Sequence, residues 1–322
     1  MAASMGMEQM LTALKAAAEI TRLRLLFILS HGEFNVTELT QILEQSQPRL
    51  SRHLKLLTEA GLLERYREGS WVIFRLREDG AAGELARLVA ERLDETDADF
   101  AADLERARAI LASRRERAEA YFAAVAEEWD RIRSLHVAED EVEAAMQALA
   151  GKGPFDLHLD IGTGTGRMLE LFAPLAREAV GIDSSRAMLN VARGRLARPE
   201  LAHVKLRLAD ATELPLGDGV ADFITVHQVL HYLDDPAAVL HEAARVLAPG
   251  GRLLVVDFAP HELEFLREEC AHRRLGIPDA DMRRWLERGG LALNEQRRLA
   301  PPPELGERGL TVSLWLAEKP GS

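Results

Sequence analysis

The chain holds a single cysteine, Cys270, among 322 residues, so no disulfide can close within it, which fits a reducing compartment. Aromatic residues are scarce, at 5%. An overall positive charge is missing too: the formal net charge is −12, which argues against a general polyanion binder. No apolar run approaches the ~20 residues of a membrane-spanning helix, so no membrane role is expected. The opening residues, MAASMGMEQM, have no basic stretch followed by a long apolar run, and no signal peptide is expected. The location expected is cytoplasmic. What is abundant is Ala, Leu, Glu and Arg, which favour helix. The length suits two domains, and 47% apolar residues suffice for two cores.

Residues 7–30 carry apolar side chains at helical spacing, and His31-Gly32 ends that stretch. Thr37 can cap a short helix through Leu43. Ser46 can cap the next, with Pro48 in its first turn and Gly61 as its stop. Leu62 to Leu76 reads as two strands around a turn at Glu68-Gly69-Ser70. This order is that of a winged helix-turn-helix, an α+β unit that is mostly helical. Residues 81–150 favour helix, with a long one expected to about Arg115. Gly151-Lys152-Gly153-Pro154 breaks the run. Short apolar strands then alternate with helices: Leu157–Ile161, Ala179–Ile182, Val204–Leu208, Ala221–Val226 and Leu253–Phe258. Two more, Leu291–Arg298 and Thr311–Ala317, close the chain. Such alternation implies an α/β, Rossmann-like parallel sheet. The expected division is multidomain: residues 1–115, a helical linker over 116–150, and 151–322. Pro301-Pro302-Pro303 reads as a stiff loop.

Between Gln47 and Arg77 stand seven Lys/Arg against three Asp/Glu, a basic stretch in an acidic chain. Leu50, Leu54 and Leu57 repeat at helical spacing and face inward; Gln47, Arg49, Ser51, Arg52 and Lys55 are left outside. Gln and Arg can pair with adenine and guanine edges, while Lys and Ser suit phosphates. Arg65, Arg67 and Arg75 would flank the groove from the hairpin. Charge spacing alone fits a solvated amphipathic helix equally well. The whole run is more specific. Ser46–Leu57, which includes His53, together with Gly61–Gly69 resembles the recognition helix and wing of ArsR-type regulators. That resemblance implies binding to double-stranded DNA. It also implies a homodimer paired through roughly Met7–Glu19 and Gly83–Arg115, and so a near-palindromic operator with half-sites ~34 Å apart. Many such regulators sense metals, but Phe34–Leu39 has no cysteine and residues 81–115 have no histidine, so no metal site is expected.

Leu157 to Arg167 reads as a strand, a glycine loop and a helix. Arg167 breaks the G-x-G-x-x-G dinucleotide pattern. The form Asp160-Ile161-Gly162-Thr163-Gly164-Thr165-Gly166 instead resembles class I methyltransferases that use S-adenosylmethionine (AdoMet). A second acid, Asp183, ends the next strand seventeen residues after Gly166 and can accept from ribose hydroxyls. Asp210-Ala211 follows a third strand; the resemblance sets this acid near the adenine amino group. Ser184 and His227 complete the expected cofactor set. Met188 fits either the adenine face or the core. Tyr121-Phe122 and Glu128-Trp129-Asp130 fit either a cover over the cofactor or ordinary helix packing.

Methyl transfer from a sulfonium needs alignment and, for weak nucleophiles, a base. His227-Gln228-Val229-Leu230-His231-Tyr232 lacks the N/D-P-P-Y type of motif, which argues against nucleic-acid methylation. His227 and His231 can serve as bases, substrate contacts or packing. Asp257 to Glu262 follows the fifth strand at the substrate edge, and His272-Arg273-Arg274 follows later. No catalytic residue is assigned. Cys270 alone cannot support the multi-cysteine chemistry of arsenite methylation. Residues 116–322 resemble the methyltransferase half of bacterial fused ArsR-type regulators. Two functions follow. One is a regulator, a repressor, with AdoMet or S-adenosylhomocysteine as effector and methionine or methyl-cycle genes as targets. The alternative is an active small-molecule methyltransferase that autoregulates.

Overall fold

A computed structural model describes residues 4–68, 70–77, 79–129, 139–301 and 303–321. Gly69, Asp130 and Pro302, named above in a turn, an aromatic segment and a loop, lie outside them. Contacts divide the chain into two units, Met1–Glu116 and Arg117–Ser322.

The first stretch of helical spacing forms two helices, α1 (Met7–Ala17) and α2 (Ile20–Leu29). Glu19 breaks them: its backbone is extended and its side chain accepts from the Arg22 N–H. Helix α3 (Val36–Leu43) is capped by Asn35, not by Thr37. Asn35 accepts from Glu38 N–H while the Glu38 carboxylate accepts from Asn35 N–H, a reciprocal box that Thr37 cannot form from inside the first turn. Helix α4 (Gln47–Glu59) follows, with Pro48 in its first turn and Gly61 just past its end at φ +74°. Strands β2 (Leu63–Glu68) and β3 (Trp71–Leu76) pair antiparallel, and β1 (Phe34–Asn35), too short to register in the sequence pattern, adds to β3. The expected long helix is two: α5 (Gly80–Glu91) and α6 (Ala98–Val125). Between them Asp94 accepts from both Thr96 N–H and Oγ1, a local turn that competes with helix.

Leu25, Ile28, Phe34, Leu39, Ile42, Leu50, Leu54 and Leu57 form this unit's core. Truncating one of them, Leu54→Ala for example, costs about 2–5 kcal/mol. A buried ion network ties α6 to α2 and α3. Asp103 takes a bidentate pair from Arg24 at 2.6 Å and 2.6 Å, Arg24 also donates to Leu43 O, and Arg106 donates to Asp103 and to Ile42 O. Arg114, further along α6, donates to Glu38.

In the second unit α7 (Glu139–Ala150) precedes a seven-stranded sheet ordered β6-β5-β4-β7-β8-β10-β9. The strands are β4 (Phe155–Ile161), β5 (Ala176–Asp183), β6 (Val204–Leu208), β7 (Ala221–His227), β8 (Leu247–Phe258), β9 (Ala292–Leu299) and β10 (Val312–Glu318). The first five run parallel, and β10 is antiparallel to both β8 and β9. Helices α8 (Arg167–Phe172), α9 (Arg186–Leu196), α10 (Pro236–Val246), α11 (Phe265–Glu269) and α12 (Asp279–Arg288) connect them. Cores lie on both faces, so the central strands read as near-continuous apolar runs. After β4 the chain first builds outward through β5 and β6, then returns to add β7 on β4's other side. In open α/β sheets that reversal opens a crevice at the carboxyl ends of the strands.

Candidate functional site

In the first unit α4 buries Leu50, Leu54 and Leu57 and exposes Gln47, Arg49, Ser51, Arg52 and Lys55. Arg65 and Arg67 are exposed two residues apart on β2, hence on one face of the hairpin. Two residues named with them sit elsewhere. Arg75 is buried: it lies opposite Glu64 in the ladder, donates to it at 3.2 Å and 3.1 Å, reaches Glu33 and stacks over Tyr66. It braces the hairpin and is not on the exposed face. His53 is half-buried with Nδ1 3.4 Å from Glu19; burial and the nearby Arg22, Arg49 and Arg52 lower its pKa against the pull of Glu19.

In the second unit the loop after β4 is held by Gly162 N–H and Thr163 N–H, both donating to Ile182 O. All three loop glycines adopt positive φ, but for different reasons. A Cβ on Gly162 would strike Val229 at 2.3 Å, and one on Gly166 would meet Leu196 at 2.9 Å, so these two admit close packing. A Cβ on Gly164 would meet one group, Trp129 Nε1, at 3.7 Å. Gly164 therefore lies against open space under an indole.

Asp183 ends β5. One carboxylate oxygen accepts from Gly164 N–H at 2.8 Å, the other from Ser185 N–H at 2.7 Å. Burial raises its pKa, and those two N–H groups oppose the rise. The acid is thus fixed in place with lone pairs left for a ligand. Ser184 beside it is exposed, Ser185 caps α9, and Met188 is buried in that helix. Asp210 is exposed and accepts from Thr212 N–H and Oγ1, which sets its orientation; Ala211 is half-buried. Asp160 is buried at the end of β4 and accepts from Thr225 Oγ1 at 2.7 Å. Thr163 and His227 are buried at the ends of β4 and β7. Arg167 opens α8 with its guanidinium forked onto both Glu143 oxygens, at 2.6 Å and 2.6 Å, and onto Glu170 at 2.8 Å.

Residues 159–255 match the family model described as a methyltransferase domain, and residues 20–65 match that of bacterial regulatory proteins of the arsR family. The chain joins an arsR-type helix-turn-helix to a class I methyltransferase domain. Its second part is similar to demethylmenaquinone methyltransferase of Clavibacter sepedonicus, 32% identical over 50% of this chain and 65% of that protein. It is also similar to the methyltransferase YcgJ of Bacillus subtilis, 34% identical over 32% of this chain and 42% of that protein. The chain thus spans less than two thirds of these relatives' length. A solved methyltransferase from Haloferax volcanii, in complex with its activator, shares the fold. Its TM-score is 0.52 at 22% identity, covering 64% of this chain and 98% of that one.

Over the methyltransferase domain's glycine loop lies an aromatic cluster. Phe122 packs on Trp129 at 5.5 Å and on Tyr232 at 4.8 Å, and Trp129 lies 6.2 Å from Tyr232. Trp129 thus faces the glycine loop at Gly164, while Phe122, Trp129 and Tyr232 also pack on one another. Beside Tyr232, His231 is buried with Nδ1 2.7 Å from Oδ1 of Asp257. The sequence marks both residues but not their pairing, since 26 positions separate them and only the adjacency of β7 and β8 joins them. A buried relay that the sequence does not mark runs from His158 Nε2 through Thr225 Oγ1 to Asp160, across the pairing of β4 with β7. Among the described residues no group of three or more His, Cys, Asp or Glu could hold a metal ion.

Proposed function

We propose that the protein is a dimeric, operator-binding repressor whose methyltransferase domain binds AdoMet or S-adenosylhomocysteine as effector. Helix α6 carries this reading. In the first unit its Asp103, Arg106 and Arg114 brace α2 and α3, the scaffold that seats recognition helix α4. In the second unit its last turn supplies Phe122 to the aromatic cover. A ligand that repacks the cover therefore acts on a helix that also braces the DNA-reading element. The residues present fit the nucleoside. Gly164 leaves room at the loop, Asp183 would offer acceptors to ribose hydroxyls, Asp210, oriented by Thr212, would take the adenine amino group, and the aromatic rings suit a sulfonium. When bound, AdoMet would supply an electrophilic methyl group there.

Met7, Met10, Leu11 and Leu14 are exposed at spacings of three and four along α1, an apolar stripe that supports pairing of two copies. The DNA contacts proposed are Gln47, Arg49, Ser51, Arg52 and Lys55 to bases and phosphates, with Arg65 and Arg67 from the wing. Methionine or methyl-cycle genes are the natural targets of such an effector. A second reading, an active methyltransferase that autoregulates, is favoured by the buried His231–Asp257 pair.

A ligand shifts a two-state equilibrium by its differential affinity, and the coupling is reciprocal. Calorimetry of each nucleoside, with and without a saturating duplex recovered by in vitro selection, tests the effector reading. Operator and nucleoside should change each other's affinity by one common factor, ~5–150-fold. Equal nucleoside affinities in both conditions would leave the autoregulated enzyme as the better account.

A further inference from the structure

His231 is held rigidly and uses one of its two ring nitrogens. Asp257 Oδ1 faces Nδ1 at 2.7 Å and also accepts from Phe258 N–H at 2.8 Å, while Oδ2 accepts from His231 N–H at 3.3 Å. A carboxylate accepts, so Nδ1 is the donor and Nε2 of the neutral ring carries the lone pair. Nε2 is buried, with no hydrogen-bond partner among the described residues. Around it the ring meets Tyr232 at 4.0 Å, His272 at 4.3 Å and Phe258 at 4.8 Å. Tyr232 in turn contacts Phe122 and Trp129, and Trp129 is the group that faces Gly164. An oriented acceptor nitrogen and the glycine loop thus share one aromatic cover.

We propose that His231, positioned by Asp257, is the general base for methyl transfer to a neutral aromatic hydroxyl, so that the second unit is an O-methyltransferase of phenol-type acceptors. The proposal rests on the reading that the glycine loop holds AdoMet. The chemistry balances. The acceptor oxygen forms a bond to the methyl carbon as the sulfonium carbon–sulfur bond breaks, and the hydroxyl proton passes to Nε2. The sulfonium charge ends on the imidazolium, beside the Asp257 carboxylate, until that proton reaches solvent. The lining decides the acceptor class. The rings beside His231 can stack on a flat aromatic ring, which favours a phenol-type acceptor. The titratable and charged groups facing His231 are Asp257 on β8, Tyr232 beside it, and His272, Arg273 and Arg274 from the segment after α11, the last two donating their backbone N–H groups to His231 O. Tyr121 and Cys270 lie beyond Tyr232, whose hydroxyl burial keeps protonated.

The test uses the full chain, with phenol and 4-nitrophenol as probes. With S-adenosylhomocysteine bound, 4-nitrophenol should show the visible absorbance of its anion at a pH where the free probe is largely neutral. His231→Gln should abolish that shift and lower kcat for phenol methylation about 10²–10⁴-fold with nucleoside affinity unchanged. The loss should shrink for 4-nitrophenol assayed above its own pKa, because an ionised acceptor needs no base. His231→Asn, which keeps an N–H toward Asp257, serves as the second variant, and circular dichroism checks both folds. Failure of wild-type protein to bind the nucleoside would remove the cofactor reading and the proposal with it. Nucleoside binding with no absorbance shift and no methylation of either phenol would overturn this proposal alone, as would full activity in His231→Gln.

Discussion

Acidification should destabilise the methyltransferase domain through one buried ring, and replacing that ring should remove the effect. His158 lies in β4, stacked on Phe223 at 5.3 Å, with Phe172 edge-on at 5.6 Å. Thr225 Oγ1 donates to Asp160, so its oxygen must accept from His158, which puts the proton on Nε2. Burial pushes the His158 pKa down from 6.5 to about 3. The unfolded chain therefore takes up a proton between those values that the folded chain refuses. Stability is full above pH 6.5 and is lost as pH falls below it. At about 1.4 kcal/mol per pH unit, the loss is ~1.4 kcal/mol at pH 5.5 and ~2.7 kcal/mol at pH 4.5. His158→Phe keeps the ring stack and leaves Thr225 bonded to Asp160, forfeiting one hydrogen bond worth ~1 kcal/mol. The variant should thus be the weaker protein at pH 7.5 and the stronger at pH 5, with the crossing near pH ~6. Hydrogen exchange of the β4 amides across a urea series measures both. Other carboxylates and histidines act alike on the two proteins and cancel in the difference. Parallel loss of stability from pH 7.5 to 5 would refute the argument.

Arg49→Ala and Arg52→Ala should each weaken operator binding by about 1–3 kcal/mol with the melting temperature unchanged. Arg75→Ala should instead lower the melting temperature of the first unit, because Glu33 and Glu64 lose their buried partner; fluorescence anisotropy and calorimetry separate the two patterns. Asp183→Ala and Gly164→Val should abolish calorimetric binding of both nucleosides, with Gly194→Val, in open space on α9, as a control that still binds. Leu11→Glu with Leu14→Glu should shift sedimentation from dimer to monomer and weaken DNA binding with it.

The sheet was legible because its central strands are covered on both faces. Leu159–Ile161 and Leu253–Phe258 need no alternation to be seen, and the Asp160–Gly166 loop announces a close approach to ligand. What escaped depends on partners distant in sequence or on single hydrogen bonds. Arg75 looks like Arg65 and Arg67 until the ladder sets Glu64 across from it. Asn35 outcompetes Thr37 as a cap because Glu38 lies three residues after it. The breaks at Glu19 and Asp94 are side-chain bonds to local backbone, invisible to apolar spacing. His231 and Asp257 were both in view as separate residues, and a parallel pair of strands made them one group.

Arg167 has a consequence for what the cleft refuses. In dinucleotide-binding folds the start of the helix after the glycine loop receives a diphosphate. Here that position carries a cation already neutralised by Glu143 and Glu170 and locked in a fork. With Asp160 and Asp183 at the strand ends, the neighbourhood is rich in carboxylates. A phosphorylated nucleotide would bring its negative charge beside these carboxylates, where Arg167 is already committed to Glu143 and Glu170 and Arg195 is turned onto Thr165 Oγ1. Adenine nucleotides should accordingly bind this cleft more weakly than a nucleoside without phosphate, which calorimetry with AMP and adenosine compares directly.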